Sequence, residues 1–316
     1  MQKKLFLINP FVIALIALFS VQRGYAQTKT HTTTQTHTTT QTTTGTLKTK
    51  SGLAYKIIPG NGGEKPKAGE FIKFRFSYTI GANDSLLQSS GRMPSYSPVD
   101  TGKNVQYSFM EVVPKMNVGD SAIVIVSVDS LVKRKIMPDY NEVFTKGGSI
   151  KCHMRLLQVF SSDSAVQTDY EAESDVEKAR EIKDIEAYMI QNNIKGQMVG
   201  NGVYIVMEDA GDTSMKADTG TTASIKYRGY LFNGSVFDTN MDSSKGHTDP
   251  IDVPVGKHTV IAGWEEALPY FGKGGKGKIF IPAMLGYGSQ AMGQDIPEYS
   301  NLVFDMEVVD VKPQQP

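Results

Sequence analysis

The side chains that usually carry covalent or metal chemistry are scarce in this sequence. The single cysteine, Cys152, excludes an intrachain disulfide and a cysteine-based metal cluster. The five histidines show no metal-ligand spacing in a stretch that should fold, so we expect no metal and no other cofactor. No Gly-x-Ser-x-Gly elbow occurs, which argues against a hydrolase. The remaining chemistry is that of an apolar, aromatic surface with a few hydroxyl and carboxyl groups.

One short segment, residues 261–268, contains the only tryptophan of the 316-residue chain. Trp264, Ala267 and Leu268 are spaced to share one face of a helix, and two glutamates lie on the other face. Pro269 then limits how far the helix can continue. The segment therefore predicts a short helix with a large indole on its buried side.

The stretches on both sides of this segment read as β-strands. Residues 224–230, 278–281 and 302–309 alternate or run apolar over strand-like lengths and are separated by glycine-rich turns. A single short helix among such strands predicts an α+β domain, in which the helix is held against a curved antiparallel sheet.

Six blocks in the last third of the chain resemble the FKBP-type peptidyl-prolyl cis/trans isomerases. The helix predicted within residues 161–195, followed by residues 202–205, also resembles the lead-in of some exported bacterial members. Any one block alone would carry little weight, but all six occur in the family's order and spacing. The blocks are residues 227–229, 234–238, 260–266, 285–288, 296–297 and 302–305.

The resemblance implies a cleft that isomerises proline-containing polypeptides and that macrolide inhibitors can also occupy. Trp264 would form its floor, and Tyr287 and the main-chain N–H of Ile261 would bind substrate carbonyls. Each aromatic could instead be an ordinary core or loop residue and Asp238 a turn residue, but their joint occurrence favours the cleft. The implied catalytic residues are Tyr227, Phe237, Asp238, Trp264, Tyr287 and Phe304, and the implied substrate-binding residues are Ile251, Val260, Ile261 and Ile296.

The balance of charge argues against nucleic acid as a partner. The chain has 33 basic and 33 acidic residues and no net charge. With 40% hydrophobic residues it can bury a core, and its length allows about two domains.

The N-terminus reads as an export signal. Two lysines precede an apolar run over residues 5–21, and small residues favour cleavage after Ala26, so residues 1–26 predict a signal peptide. The alternative is an uncleaved membrane anchor. Residues 27–47, rich in threonine, predict a disordered tether. We expect an exported protein, periplasmic or extracellular, that is soluble and does not span the membrane after cleavage.

The chain also repeats itself at an offset near 150 residues, which indicates a duplicated domain. Leu87–Ser90 echoes Phe237–Asn240, and Phe109 stands where Trp264 stands. We therefore predict a divergent FKBP-like domain over residues 48–160 and an isomerase domain over residues 196–313. Each should be an α+β domain with a curved antiparallel sheet around a short helix, and an amphipathic helix should join them.

Residues 161–195, between the two copies, predict a helical linker. Ser174 and Glu177 can form a capping box at its start, and the helix should end near Asn192. This helix could bind a partner or a second copy, or it could pack on the second domain or bridge the two. The predicted apolar face is Val176, Ala179, Ile182, Ile185 and Met189.

The first copy lacks most of the implied site residues. Phe76, Leu87, Gln88, Phe109 and Cys152 stand in place of Tyr227, Phe237, Asp238, Trp264 and Phe304. Its Lys133–Lys135 cluster could be a docking patch or a solvated turn. We predict a peptidyl-prolyl isomerase that assists the folding of exported proteins, with activity in the C-terminal domain and a degenerate N-terminal binding module. The alternative is a non-enzymatic chaperone or interaction protein with the same fold.

Overall fold

The chain folds into two compact units, which meet in sequence between Tyr170 and Glu171. The structure is a computed structural model and describes residues 45–100 and 107–314. The predicted signal peptide and most of the predicted tether lie outside the described residues. No helix in the described part of the chain combines the length and the apolar composition that a bilayer crossing requires.

The first unit contains one antiparallel sheet of seven strands. The strands are β1 (Leu47–Lys48), β2 (Ala54–Ile58), β3 (Phe71–Ile80), β4 (Ser85–Ser89), β5 (Ser95–Pro98), β6 (Ser121–Ser127) and β7 (Ser149–Phe160). Their order across the sheet is β1-β2-β6-β7-β3-β4, with β5 paired to β3.

The second unit also contains a seven-stranded antiparallel sheet, together with a separate two-stranded ribbon. The sheet strands are β8 (Gln197–Val199), β9 (Val203–Asp209), β11 (Thr221–Leu231), β12 (Val236–Thr239), β13 (Ile251–Pro254), β15 (Lys276–Ile281) and β16 (Leu302–Pro313), and the ribbon strands are β10 (Asp212–Lys216) and β14 (Gly272–Lys273). The sheet order is β12-β11-β16-β15-β9-β8, with β13 paired to β11.

The two sheets have the same strand order when one is read in the opposite direction. Their irregularities also correspond: the register of β3 shifts at Lys73 against β7 and at Tyr78 against β4. The register of β11 shifts at Ser224 against β16 and at Gly229 against β12. A β-bulge adds one residue to a strand and so changes the face on which the following side chains lie. Because the bulges occur at matching positions in the two sheets, corresponding residues remain on corresponding faces.

Three α-helices occur in the described residues: α1 (Val128–Lys133), α2 (Asp163–Gln191) and α3 (Ala262–Ala267). Within the second unit, α3 and the C-terminal turns of α2 pack on opposite faces of the sheet. Because side chains alternate along β15, Ile279 and Ile281 pack in the same cluster as Trp264. Phe280 instead packs with Ile185 and Met189 of α2.

The backbone of α3 lies directly against the sheet at Gly263. A Cβ atom at Gly263 would lie 2.3 Å from Cγ2 of Ile281, a distance that real side chains do not reach. The glycine therefore allows the helix to come close enough for Trp264, Ala267 and Leu268 to be buried, as the sequence predicts.

The first unit has no α-helix at the corresponding place, and this corrects the prediction of a short helix in each domain. Two 3-10 turns, Phe109–Glu111 and Val113–Lys115, stand there instead. β-branched Val112 and Val113 occupy the places of Ala267 and Leu268, and such residues favour an α-helix less than alanine and leucine do.

The predicted start of α2 is wrong. The helix begins at Asp163 and not at Ser174, which lies inside it. Ser162 caps the helix, because its Oγ accepts a hydrogen bond from Ala165 N at 3.3 Å. Its end at Gln191 agrees with the prediction, and Asn193 follows with a left-handed φ of 52°, which is typical of a helix stop.

The buried face of α2 also differs from the predicted apolar face. Ile185 and Met189 are buried, but Val176 is 70% exposed. Glu181 is buried instead, because its carboxylate accepts a hydrogen bond from Met284 N at 2.8 Å. This polar contact with the segment that follows β15 thus favours the observed rotation of the helix. A prediction based on hydrophobic periodicity does not take such a contact into account.

We expect Gly263→Ala to destabilise the second unit by about 1–3 kcal/mol, although alanine is the better helix former. The added methyl group would collide with Ile281. The free energy of unfolding should be measured for Gly263→Ala, Ile281→Ala and the double variant. If the contact is the cause, Gly263→Ala should cost far less in the Ile281→Ala background. An equal cost in both backgrounds would contradict this explanation.

Candidate active site

A cleft of about 580 Å³ opens in the second unit beside α3. All ten residues that the sequence analysis singled out line it, so the structure brings the entire predicted set together. Three further residues, Thr259, Met292 and Asp295, line it as well. The complete lining is Tyr227, Phe237, Asp238, Ile251, Thr259, Val260, Ile261, Trp264, Tyr287, Met292, Asp295, Ile296 and Phe304.

Edge-to-face aromatic contacts build the floor of the cleft. The ring of Trp264 lies 5.2 Å from that of Tyr227 and 5.2 Å from that of Phe304, at interplanar angles of 79° and 86°. Phe237 contacts Phe304 at 5.6 Å and 82°. Such perpendicular contacts are the favourable geometry for aromatic pairs. They hold the indole, which is 3% exposed, in one orientation.

Gly229 makes room for two of these rings. A Cβ atom at this position would lie 2.5 Å from Cε2 of Phe237 and 2.8 Å from Cε1 of Phe304. Gly229 pairs with Phe304 across the β11–β16 ladder. The absent side chain therefore allows both phenylalanines to pack across the strand, which explains a glycine within the strand.

The indole N–H of Trp264 is buried and has no hydrogen-bond partner among the described residues. Leaving a buried donor unpaired costs about 1–3 kcal/mol in most proteins. The unpaired N–H of Trp264 is therefore a destabilising feature of a residue whose flat, apolar ring lies under the cleft.

Asp238 is the polar centre of the cleft wall. Its Oδ2 accepts a hydrogen bond from the Tyr227 hydroxyl at 2.6 Å, and its Oδ1 accepts one from Thr239 N at 2.9 Å. His247 Nε2 lies 3.1 Å from the same Oδ1. Burial tends to raise the pKa of Asp238, but these hydrogen bonds outweigh it, and its pKa lies below the ordinary value.

The sequence patterns predict no role for His247 or for Asn240. Asn240 is fully buried, and its Oδ1 accepts a hydrogen bond from Tyr227 N at 2.6 Å. Its Nδ2 donates to the carbonyl oxygens of Ile225 and Asp249, both at 3.0 Å. This amide joins the strand to the loop that carries His247. The contacts depend on the path of that loop, and no sequence spacing could have indicated them.

Tyr287 enters the cleft from the loop that follows β15. Burial, together with the negative charge of Asp238, raises the pKa of its hydroxyl above the ordinary value, so the group stays protonated at neutral pH. No described residue hydrogen-bonds to this hydroxyl. It can therefore donate to a ligand in the cleft.

The remaining wall comes from β13 and from the start of α3. Ile251 lies at the first position of β13, and Val260 and Ile261 lie just before α3. Ile261 is the N-cap of α3 with φ −60° and ψ 148°, and an N–H at this position takes no part in the helical hydrogen bonds. Ile296 closes the rim and is only 6% exposed.

In the first unit, different side chains stand at the positions that shape the cleft. The strand registers place Tyr78 where the second unit has Gly229, and Cys152 where it has Phe304. Tyr78 is buried, and its ring lies 5.3 Å from Phe76 and 6.0 Å from Phe109. Burial raises the pKa of the Cys152 thiol, so this cysteine is not a reactive thiolate.

Comparisons with known proteins agree with this geometry. The family model for FKBP-type peptidyl-prolyl cis-trans isomerases matches residues 213–309. An FK506-binding protein of Neisseria meningitidis is 33% identical over 108 residues, which cover 34% of this chain and 95% of that protein. The chain belongs to the FKBP-type peptidyl-prolyl cis-trans isomerases.

Other relatives match over less of their length. A probable FKBP-type peptidyl-prolyl cis-trans isomerase of Haemophilus influenzae is 39% identical over 115 residues, which cover 36% of this chain and 44% of that protein. The matched region thus spans less than half of that relative. A crystal structure of the three FKBP domains of wheat FKBP73 aligns over 83% of this chain and 95% of its own, at 17% identity and a TM-score of 0.33. A TM-score this low does not establish a shared arrangement.

We expect Tyr227→Phe to raise the pKa of Asp238, because it removes the 2.6 Å hydrogen bond to the ionised carboxylate. The pKa should be followed through the side-chain carboxyl resonance in an NMR titration. Tyr230→Phe is the matched control, since Tyr230 lies on the same strand but bonds to Asp305. It should leave the pKa of Asp238 unchanged.

The same titration has a consequence for stability. Because the pKa of folded Asp238 lies below its unfolded value, its stabilising contribution is complete above the unfolded pKa. The contribution is lost as the pH falls through the folded pKa. In Tyr227→Phe this contribution should be smaller and its loss should begin at a higher pH. Identical titrations for Tyr227→Phe and the wild type would refute the assigned hydrogen bond.

Proposed function

We propose that the cleft of the second unit catalyses cis–trans isomerisation of X–Pro bonds in polypeptides. Rotation about this bond is slowed by amide resonance, with a barrier near ~20 kcal/mol. The twisted amide is less polar than the planar one, so an apolar surface stabilises the twisted state relative to water. Catalysis then requires preferential binding of the twisted conformer, without a nucleophile or a proton transfer.

The observation that carries this proposal is the buried indole floor with aromatic walls. The rings of Trp264, Tyr227 and Phe304 pack edge to face and leave an apolar surface on which a proline ring can rest. Tyr287 and Ile261 both line the cleft. In this proposal the Tyr287 hydroxyl and the Ile261 N–H donate to the carbonyls on either side of the proline. Asp238 accepts a hydrogen bond from the Tyr227 hydroxyl and so keeps the Tyr227 ring in position in the cleft wall.

The first unit is proposed to be a divergent FKBP-like domain that binds polypeptide chains or a partner without catalysis. The matching strand order and the matching bulges support a duplication. Three observations support the absence of turnover in the first unit. The ring of Tyr78 is buried. Gln88 and Phe109 replace the carboxylate of Asp238 and the indole of Trp264, and the first copy has no counterpart of the Gly-Tyr-Gly loop at residues 286–288. In this reading the protein is a tandem chain with one catalytic domain and one degenerate domain.

The protein is further proposed to act on exported proteins, in the periplasm or outside the cell. The support is the signal-like sequence of residues 1–26, which lies outside the described residues. Macrolides are proposed as a second class of ligand for the cleft. The Neisseria relative is named an FK506-binding protein, and the aromatic floor could receive the ring of such a ligand.

The proposal predicts that activity depends on Trp264 and not on its counterpart in the first unit. In the full chain, Trp264→Leu should lower kcat/KM for a prolyl peptide about tenfold or more, because the flat floor is lost. Phe109→Leu, at the corresponding place, should leave kcat/KM near the wild-type value. A chymotrypsin-coupled or NMR exchange assay measures both. Equal losses would contradict the division between the units.

The pH dependence separates this mechanism from acid–base catalysis. No group need change its protonation, so kcat/KM should be nearly flat from about pH 6 to pH 8. Asp238→Asn and Tyr287→Phe should each reduce kcat/KM by a modest factor. A bell-shaped profile, with activity abolished in Asp238→Asn, would show a proton-transfer mechanism.

A further inference from the structure

The ionised groups that line the cleft all carry the same sign. Asp238 and Asp295 are its two carboxylates, and no lysine, arginine or histidine is among its lining residues. Unpaired charge of one sign at the mouth of a cleft selects ligands of the opposite charge. A carboxylate can select a charged substrate only if the protein itself does not already pair with it.

Asp238 is already engaged by the protein. It accepts hydrogen bonds from Tyr227 and Thr239 and contacts His247. Asp295 is different: nothing in the described part of the chain donates a hydrogen bond to its carboxylate or forms an ion pair with it. It is exposed on the loop that follows β15. Asp295 is thus the lining carboxylate that can pair with a ligand.

The backbone around Asp295 is held in a closed turn. Met292 N donates to Ile296 O at 2.9 Å, and Ile296 N donates to Met292 O at 3.3 Å. Gly293 supports the turn with a left-handed φ of 63°. Because Met292 and Ile296 themselves line the cleft, this pair of hydrogen bonds fixes Asp295 at its rim.

We propose that Asp295 makes the cleft prefer prolyl substrates that carry a lysine or arginine next to the proline. The inference rests on the proposed isomerase function and names a substrate class for the same site. The stem of either side chain can lie along the apolar rim formed by Met292 and Ile296, while its charged end pairs with Asp295. Asp295 is a specificity-determining residue, and isomerisation itself does not require it.

The charged groups on the neighbouring segments are not among the residues that line the cleft. Glu298 follows on the same loop and is also acidic. Lys257 and His258 precede Thr259, but neither lines the cleft. His247 contacts Asp238 and does not line the cleft.

The test compares substrates that differ only in charge beside the proline. The peptides are Ala-X-Pro-Phe with lysine, methionine or glutamate at X, and a second set carries the same residues directly after the proline. Methionine matches lysine in shape without the charge. With the full-length protein at low salt, kcat/KM for the lysine peptide should exceed that for the methionine peptide about twofold to fivefold in at least one set, the range expected for a partly exposed ion pair. The glutamate peptide should be the poorest.

Each variant is judged by the ratio of the lysine and methionine values, so that any general change in activity cancels. Asp295→Asn should bring the ratio close to one, and Asp295→Lys should favour the glutamate peptide. Glu298→Gln is the matched control, because it removes the same charge from the same loop outside the cleft lining, and it should keep most of the preference. Raising the salt concentration should reduce the wild-type ratio.

The outcomes separate this inference from the proposed function. Turnover of all the peptides without a lysine preference would overturn the role of Asp295 and leave the isomerase function intact. A preference that survives in Asp295→Asn, or that is lost equally in Glu298→Gln, would also overturn it. Absence of turnover with every peptide would overturn the proposed function and this inference together.

Discussion

The close approach of α3 to the sheet is the constraint on which the second unit depends. Gly263 lets the helix backbone contact Ile281, and this distance brings the Trp264 ring into edge-to-face contact with Tyr227 and Phe304. A larger residue at position 263 would lift the indole and open the floor of the cleft. The site is therefore a product of close packing, since protein interiors leave little room for adjustment.

The two units differ in which strand of one pair carries the large side chain. The second unit combines Gly229 with Phe304, and the first combines Tyr78 with Cys152. Both pairs supply one aromatic ring, but the ring begins on the opposite strand and so fills a different space. The same strand order can thus carry different aromatic packing, and fold alone does not determine function.

Much of the fold could be predicted, because its signals are local. Alternation indicated the strands, the spacing of Trp264 and Leu268 indicated α3, and the internal echo indicated a second copy of the sheet. The errors occurred where a distant contact decided the outcome. The buried face of α2 turns toward Glu181 because Met284 N donates to its carboxylate, and hydrophobic periodicity cannot register that bond.

The sequence by itself determined which residues form the aromatic cleft, because their types, order and spacing resemble a known family closely enough to select all ten. The tertiary structure alone decided their environment. Loop paths bring His247 to Asp238, and a closed turn holds Asp295 at the rim, where no described residue hydrogen-bonds to its carboxylate or forms an ion pair with it. Electrostatics depends on distances of a few ångströms between residues far apart in the chain. Sequence spacing does not contain those distances, so the charge of the cleft became visible only in the folded protein.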